Sequence, residues 1–294
     1  MLVKKSGSDL AFDIVNYTIL GLILLAITYP LYFILISSVS SPDAVFTGRV
    51  WLWPIDTTVN GYRKIFNDQR IWVGYRNTVF YTLVGSFINV SLTMLMAYPL
   101  SRRTFSGKKA VMVYLFITMY FSGGLIPTFL LVKSLGLYNQ WPVMVILGAV
   151  QVWNVIIART FLQSNIPEEM YEAALMEGAN HWVFFRKIVL PLSQAIIAVL
   201  FLFYGVAHWN DFFRGLIYLD NSDLYPLQLN LRSILLQVET ANNMVDQESM
   251  NEQVMLSALI KYGTIVVTAL PVLVLYPFLQ RYFVQGVLIG SLKG

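Results

Sequence analysis

Glu172, Ala173 and Ala174 are followed after three residues by Gly178, and after nine more by Ile188, Leu190 and Pro191. A carboxylate at Glu172 can accept paired hydrogen bonds from an arginine, and the small side chains of Ala173 and Ala174 let a second surface come close to the backbone. This is the chemistry of docking rather than of bond making. Pro167 suits the first turn of a helix that Ser164 or Asn165 can cap, with Glu168 and Glu169 at the positive end of its dipole. Gly178, preceded by the charged Glu177, stands where a left-handed terminating residue is wanted. Asn180 can cap a second helix that continues through Arg186 and Lys187. The stretch 163–187 is therefore expected to form helix, turn, helix. A merely amphipathic loop is the alternative, but amphipathicity does not demand Ile-x-Leu-Pro at this distance.

The elements that must position this stretch are apolar. The chain is 57% hydrophobic and 12% charged, with mean hydropathy +0.63, whereas a soluble domain carries about twice that share of charge. Six segments, at roughly Ile14–Ser38, Thr78–Ser101, Ala110–Val132, Trp141–Ala158, Ile188–Asn210 and Tyr262–Gln280, have about the length that crosses a hydrocarbon core, and none contains Asp, Glu, Lys or Arg. An all-α membrane protein in one transmembrane domain over 1–294 is expected. The net charge of +4 and pI near 9.1 are set in loops, so no continuous basic face supports a nucleic-acid partner. Cysteine is absent, which excludes disulfides and thiolate metal sites.

Lys4 and Lys5 precede an apolar run of roughly 25 residues without a small-residue cleavage site, so that run is expected to be a retained helix. Arg102, Arg103, Lys108 and Lys109 crowd a short connection and mark its side as cytoplasmic. Both termini then lie inside. The longer first outer loop also holds Arg49, Arg63, Lys64, Arg70 and Arg76, diluted by Asp43, Asp56 and Asp68, together with an interfacial belt of Trp51, Trp53 and Tyr62. A second outer loop, 211–261, carries Asp211, Asp220, Asp223, Glu239, Asp246, Glu248 and Glu252. It is either a surface for a protein partner or a solvated linker.

At every defining position, Glu172 to Pro191 resembles the EAA loop of ATP-binding-cassette import permeases, with Glu177 where that family usually has Asp. Phe121-Ser122-Gly123-Gly124-Leu125-Ile126-Pro127 with Leu135-Gly136-Leu137, Trp209-Asn210-Asp211-Phe212-Phe213, and Gln280 through Gly294 resemble the carbohydrate branch, in particular the maltose-permease-like group that imports complex oligosaccharides such as alginate. The resemblance implies a type I importer permease fold in the bacterial cytoplasmic membrane. It also implies a second permease subunit, two ATPase subunits that bind ATP and Mg and grip Glu172, Ala173, Ala174, Glu177 and Gly178, and an extracytoplasmic solute-binding protein that delivers an oligosaccharide. This chain would bind no cofactor and would not be an enzyme. Two absences agree: Ser106-Gly107-Lys108-Lys109 lacks the upstream glycine and following hydroxyl of a phosphate loop, and no carboxylate lies at membrane depth to couple ions.

Sugar recognition uses flat apolar faces and neutral groups that exchange for water. Tyr81, Asn89, Gln151, Trp153, Asn154, Tyr204, His208, Trp209, Asn210 and Asp211 have those properties within or at the ends of the segments. Each has a plainer alternative, since buried amides pack helices, terminal aromatics sit among lipid headgroups, and a lone histidine is commonly structural. No His or carboxylate pair has ligand spacing, so no metal is expected. Gly123-Gly124 before Pro127 is a natural break in a membrane helix, whether as a packing kink or beside a water-filled path. A permease of the same architecture for a non-sugar solute, and a membrane-embedded glycosyltransferase, are the rival functions. The second would need acids converging at the membrane surface, where Asp211 stands alone.

Overall fold

A computed structural model describes residues 7–244, 259–271, 273 and 274. All regular structure among them is helical. In chain order the helices are α1 (Gly7–Val39), α2 (Pro42–Phe46), α3 (Asn60–Asn67), α4 (Gln69–Ser101), α5 (Lys108–Tyr120), α6 (Leu125–Ser134), α7 (Pro142–Ile146), α8 (Val152–Asn165), α9 (Glu168–Met176) and α10 (His181–Phe184). A π-helical turn, Phe185–Val189, leads into α11 (Leu190–Leu192), α12 (Gln194–Trp209), α13 (Phe213–Tyr218), a 3-10 turn at Ser222–Leu224, α14 (Leu227–Met244) and α15 (Leu259–Pro271).

The chain divides into two compact units. One is built from residues 1–68 and 233–270. In it α1 shows apolar side chains all round, Leu22, Leu24, Leu25 and Ile27 among the exposed, as a helix in hydrocarbon must. Its end is tied locally: Ser38 Oγ lies 2.7 Å from Tyr62 Oη, and Thr58 N–H donates to Val39 O at 2.8 Å. Trp51 and Trp53 are exposed.

The other unit is built from residues 69–232. Helix α4 is its spine, packing most extensively on α12 and α8. A core of Val90, Met94, Ala97, Val155, Ala158, Leu162, Val189 and Leu200 fills the space between them and continues to Tyr171, Ala174 and Phe184 below. A second cluster joins Tyr81 to Val143, Met144, Tyr218 and Leu219. Glycine sets the closest approach of α4 to α12, because a Cβ on Gly85 would fall 2.4 Å from His208 Nε2.

Several expected helices differ in extent. The second begins at Gln69 rather than near Thr78, since Arg70 to Asn77 continue the helical face that packs on Asn230 and Leu227. Ala110–Val132 is broken as the glycine pair foretold: α5 and α6 meet at 112° around Gly124, whose φ is +85°. Trp141–Ala158 is not one helix. Gly148, at φ +73°, ends α7, and Arg214 Nη1 donates to the freed Leu147 carbonyl at 2.6 Å. Ile188–Asn210 bends by 79° where the π turn, Pro191 and Ser193 interrupt the ladder, Pro191 having no N–H to give. Within 211–261, the expected polar loop is largely α13 and α14, because Leu227, Leu229, Asn230 and Ile234 bury one side of the chain. Asp246, Glu248, Glu252 and the segment 275–294 lie outside the described residues. By length and hydropathy α1 and α4 can each cross a membrane, and the two bent pairs, α5 with α6 and 181–192 with α12, can do so if each is one span.

Candidate functional site: the α9 elbow and the polar helix faces

Helix α9 starts one residue later than expected. Pro167 is its N-cap, without a side-chain hydrogen bond, whereas Ser164 and Asn165 complete α8 and Asn165 Nδ2 donates back to Phe161 O at 2.9 Å. Proline at that place removes an N–H that α8 would need in order to continue. The helix ends at Glu177, and Gly178 turns the chain with φ +80°. Gly178 N–H reaches Leu175 O and Ala179 N–H reaches Ala174 O, both at 2.9 Å, closing the helix end. Asn180 caps α10, its Oδ1 accepting from Val183 N–H at 2.8 Å. Glu172, Ala173, Glu177 and Gly178 are exposed, whereas Ala174 is buried against the chain's own core. Neighbouring helix positions point about 100° apart, so the two alanines cannot share one face. Ala173 is the outward one.

Beneath α9 lies a ring cluster. His181 stacks on Tyr171 with centroids 4.8 Å apart, its Nε2 2.8 Å from Tyr171 Oη and its Nδ1 3.2 Å from Tyr98 Oη on α4. Phe184 meets Tyr171 edge-on at 5.1 Å. Arg102, only 2% exposed, sends Nη2 to Ile166 O at 3.1 Å and Nη1 to Glu168 Oε2 at 3.5 Å, while Nε faces Ser101 Oγ at 3.2 Å. It sits 5.8 Å over the Tyr98 ring. Arg159 Nε donates to Leu100 O at 3.0 Å, so both arginines satisfy carbonyls at helix ends.

The polar and aromatic candidates are not gathered in one place. Tyr81 is buried and donates to Leu224 O at 2.9 Å. Asn89 and His208 are buried together, Nδ2 to Nε2 at 3.0 Å. Gln151 N–H donates to Tyr204 Oη at 3.1 Å, and the same hydroxyl shares a hydrogen bond with Thr93 Oγ1 at 2.7 Å. Asn154 is buried with Nδ2 3.5 Å from Gln151 Oε1. Trp209 packs edge-on to Tyr75 at 6.4 Å. Asp211 holds the start of α13, accepting from Arg214 N–H at 3.1 Å and from Arg214 Nε. Exposed surface among these candidates belongs to Gln151, Trp153 and Asn210. Among the described residues no cluster of acids and histidines could hold a metal.

Residues 71–289 match the family model described as binding-protein-dependent transport system inner membrane component. The chain belongs to that family. Over 289 residues this family member is 38% identical to the polygalacturonan/rhamnogalacturonan transport system permease protein YtcP of Bacillus subtilis, spanning 96% of this chain and 98% of that one. It is 28% identical to the maltodextrin transport system permease protein MdxG of the same organism, over 99% of this chain and all of the relative. Its fold is similar to a chain in the crystal structure of a bacterial ABC transporter involved in the import of the acidic polysaccharide alginate, with TM-score 0.86, 31% identity, and coverage of 95% of this chain and 99% of that one. The type I ABC permease fold follows from these matches.

In this permease the sequence reading missed Arg102, His181 and Arg214. By sequence Arg102 stands beside Arg103 as a loop charge, yet it is the buried one of the two. Its position at the very end of an apolar helix, with backbone carbonyls left over, was the available signal. His181, inside the Asn180 cap, gave none.

Proposed function

We propose that this chain is the membrane-spanning subunit of an ABC importer for oligosaccharides, forming half of a translocation path with a second permease. The reading rests on the exposed α9 elbow at Glu172 to Gly178, in a chain whose relatives are named for the transport of polygalacturonan, rhamnogalacturonan and maltodextrin. The elbow is the cytoplasmic coupling loop, 163–187, held in the cleft of an ATPase that binds ATP and Mg; two such subunits serve the pair. Six crossings place both termini inside. An extracytoplasmic binding protein hands sugar to the path, and the outer stretch from Asp211 contributes to that transfer. Within the path, Trp153, Gln151 and Asn210 are the candidates exposed enough to touch sugar, although Asn210 Nδ2 also donates to Val206 O and Gln151 Oε1 also accepts from Asn154, whereas the others are more deeply held in helix contacts.

The test is reconstitution of the whole complex in proteoliposomes with a panel of oligogalacturonides, maltodextrins, amino acids and phosphate. Uptake of a glycan, together with loss of uptake in the Glu172→Lys, Gly178→Leu variant while the ATPases still hydrolyse ATP, is expected. Uptake of amino acid or phosphate alone would overturn the sugar reading. Normal uptake in the double variant would overturn the elbow.

A further inference from the structure

We propose that Tyr98, His181 and Arg102 are positioning residues that fasten α9 to the end of α4 at two points, so that force applied at the elbow moves α4 directly. The inference rests on the elbow being the ATPase handle. At the start of α9 the fastener is Arg102, buried, on Ile166 O and Glu168. On the next part of the helix it is Tyr171, tied through His181 to Tyr98. Tyr98 lies in the last turn of α4 and Arg102 directly follows that helix, its guanidinium 5.8 Å from the Tyr98 ring, so both fasteners spring from the same end of α4.

Backbone continuity alone would leave α9 hinged. Pro167 ends the hydrogen-bond ladder between α8 and α9, and Gly178 turns the chain at φ +80°, so helical continuity is broken on both sides of α9. The two side-chain ties bridge that hinge. Glu172, exposed and adjacent to Tyr171, is where a partner's pull enters, and Tyr171 passes it through a stacked imidazole to the tyrosine on α4. Neutral imidazole offers one donor and one acceptor, and a phenol can serve as either, so the Tyr171–His181–Tyr98 chain can satisfy all its members. From α4 the load continues to α12 through Asn89 with His208 and Thr93 with Tyr204, and to α8 through Tyr204 with Gln151 N–H. Helices α4, α8, α9 and α12 would then turn as one body, and the bend between α5 and α6 stands apart from these ties.

The chain has no cysteine, so two can be introduced as the permease's sole labelling sites. Spin labels at Glu169→Cys on α9 and Leu95→Cys on the exposed side of α4 report the distance between the helices in the full complex, with its other subunits cysteine-free, before and after trapping with Mg-ATP and vanadate. Unchanged distances on trapping are expected with both tyrosines present. In Tyr98→Phe, Tyr171→Phe, which keeps the rings and removes both hydroxyls, the detached fraction in the trapped state should rise about fivefold per hydroxyl removed. Trapped-state distances that superimpose on those of the intact permease would overturn the fastening. If the double variant does not assemble, Tyr171→Phe alone carries the same readout. A purely structural role would alter both states equally and would also overturn it. The elbow reading fails separately, if the ATPases co-purify with Glu172→Lys and uptake is unaffected.

Discussion

Gly124 and Gly178 both turn the chain at positive φ, in opposite surroundings. Their φ values are +85° and +80°, and neither has an atom within 4 Å of a Cβ built on it. At Gly124 the flanking side chains stand in the open: Tyr120 and Phe121 are 77% exposed and Ile126 is 73% exposed. At Gly178 the flanking helices are bolted down by Arg102, His181 and Asn180. Glycine thus supplies the turn in both places, and what differs is whether distant residues remove the freedom it brings. One break can yield to its surroundings. The other transmits.

The strongest way to break that contrast is to unbolt the elbow. Arg102→Ala removes a buried guanidinium and strands Glu168 Oε2 and the Ile166 carbonyl, at a cost of about 3 kcal/mol, whereas exposed Arg103→Ala should stay within about 0.5 kcal/mol. Thermal unfolding of the purified complex in detergent compares the two, and equal melting temperatures would show that the buried position carries no load. Next come the glycines themselves. Gly124 has ψ 176° beside its positive φ, a region essentially closed to side chains, so Gly124→Ala should cost about 2 kcal/mol. Gly178→Ala meets only the ordinary left-handed penalty of about 1 kcal/mol. The same melting assay ranks them, and a larger loss at Gly178 would reverse the comparison.

Smaller again, Asn180→Ala loses one cap and about 1 kcal/mol, with Asn180→Asp restoring most of it. The mildest effect is at Tyr138, between α6 and α7. Tyr138 Oη donates to Asp220 at 2.8 Å, and that hydrogen bond, with a lesser contribution from desolvation, raises the phenol above its ordinary pKa. A raised folded value means the contact stabilises fully below the unfolded pKa, near 10, and is lost as pH climbs through the folded one. NMR of ring-labelled tyrosine should show Tyr138 titrating later than free tyrosine, and Asp220→Asn should bring it back. No difference between the two proteins would mean that the bond is not populated.

What the sequence made legible follows the range of the interaction. The turn at Gly178, the Asn180 cap and the break at Gly123-Gly124 depend on residues within one helical turn, so residue type announces them. Arg102 depends on Ile166 and Glu168, more than sixty positions later, and its type suggested a solvated loop charge instead. Similarly, Trp141–Ala158 is apolar enough for one helix, and only Gly148 with the carbonyl partner on Arg214 makes it two. The stretch after Asp211 misled through composition. Its acids were conspicuous, while the spacing of Leu227, Asn230 and Ile234, which buries one side of α14, was the truer signal. The polar candidates Tyr81, Asn89 and Tyr204 belong to the same lesson, since only the fold tells a solute contact from a helix contact.

The π-helical turn at Phe185–Val189 lengthens the approach to α12 by one residue over what an α-helix would use. Were it to relax to α-helical winding, the chain entering α12 would be re-phased by about 100°, which would carry Tyr204 away from Thr93 and His208 away from Asn89. The connection between elbow and bundle therefore holds a spare increment of screw, a ratchet tooth that would turn the gear against its shaft if it were wound out at full length, whereas deleting one residue from it would leave the two in step.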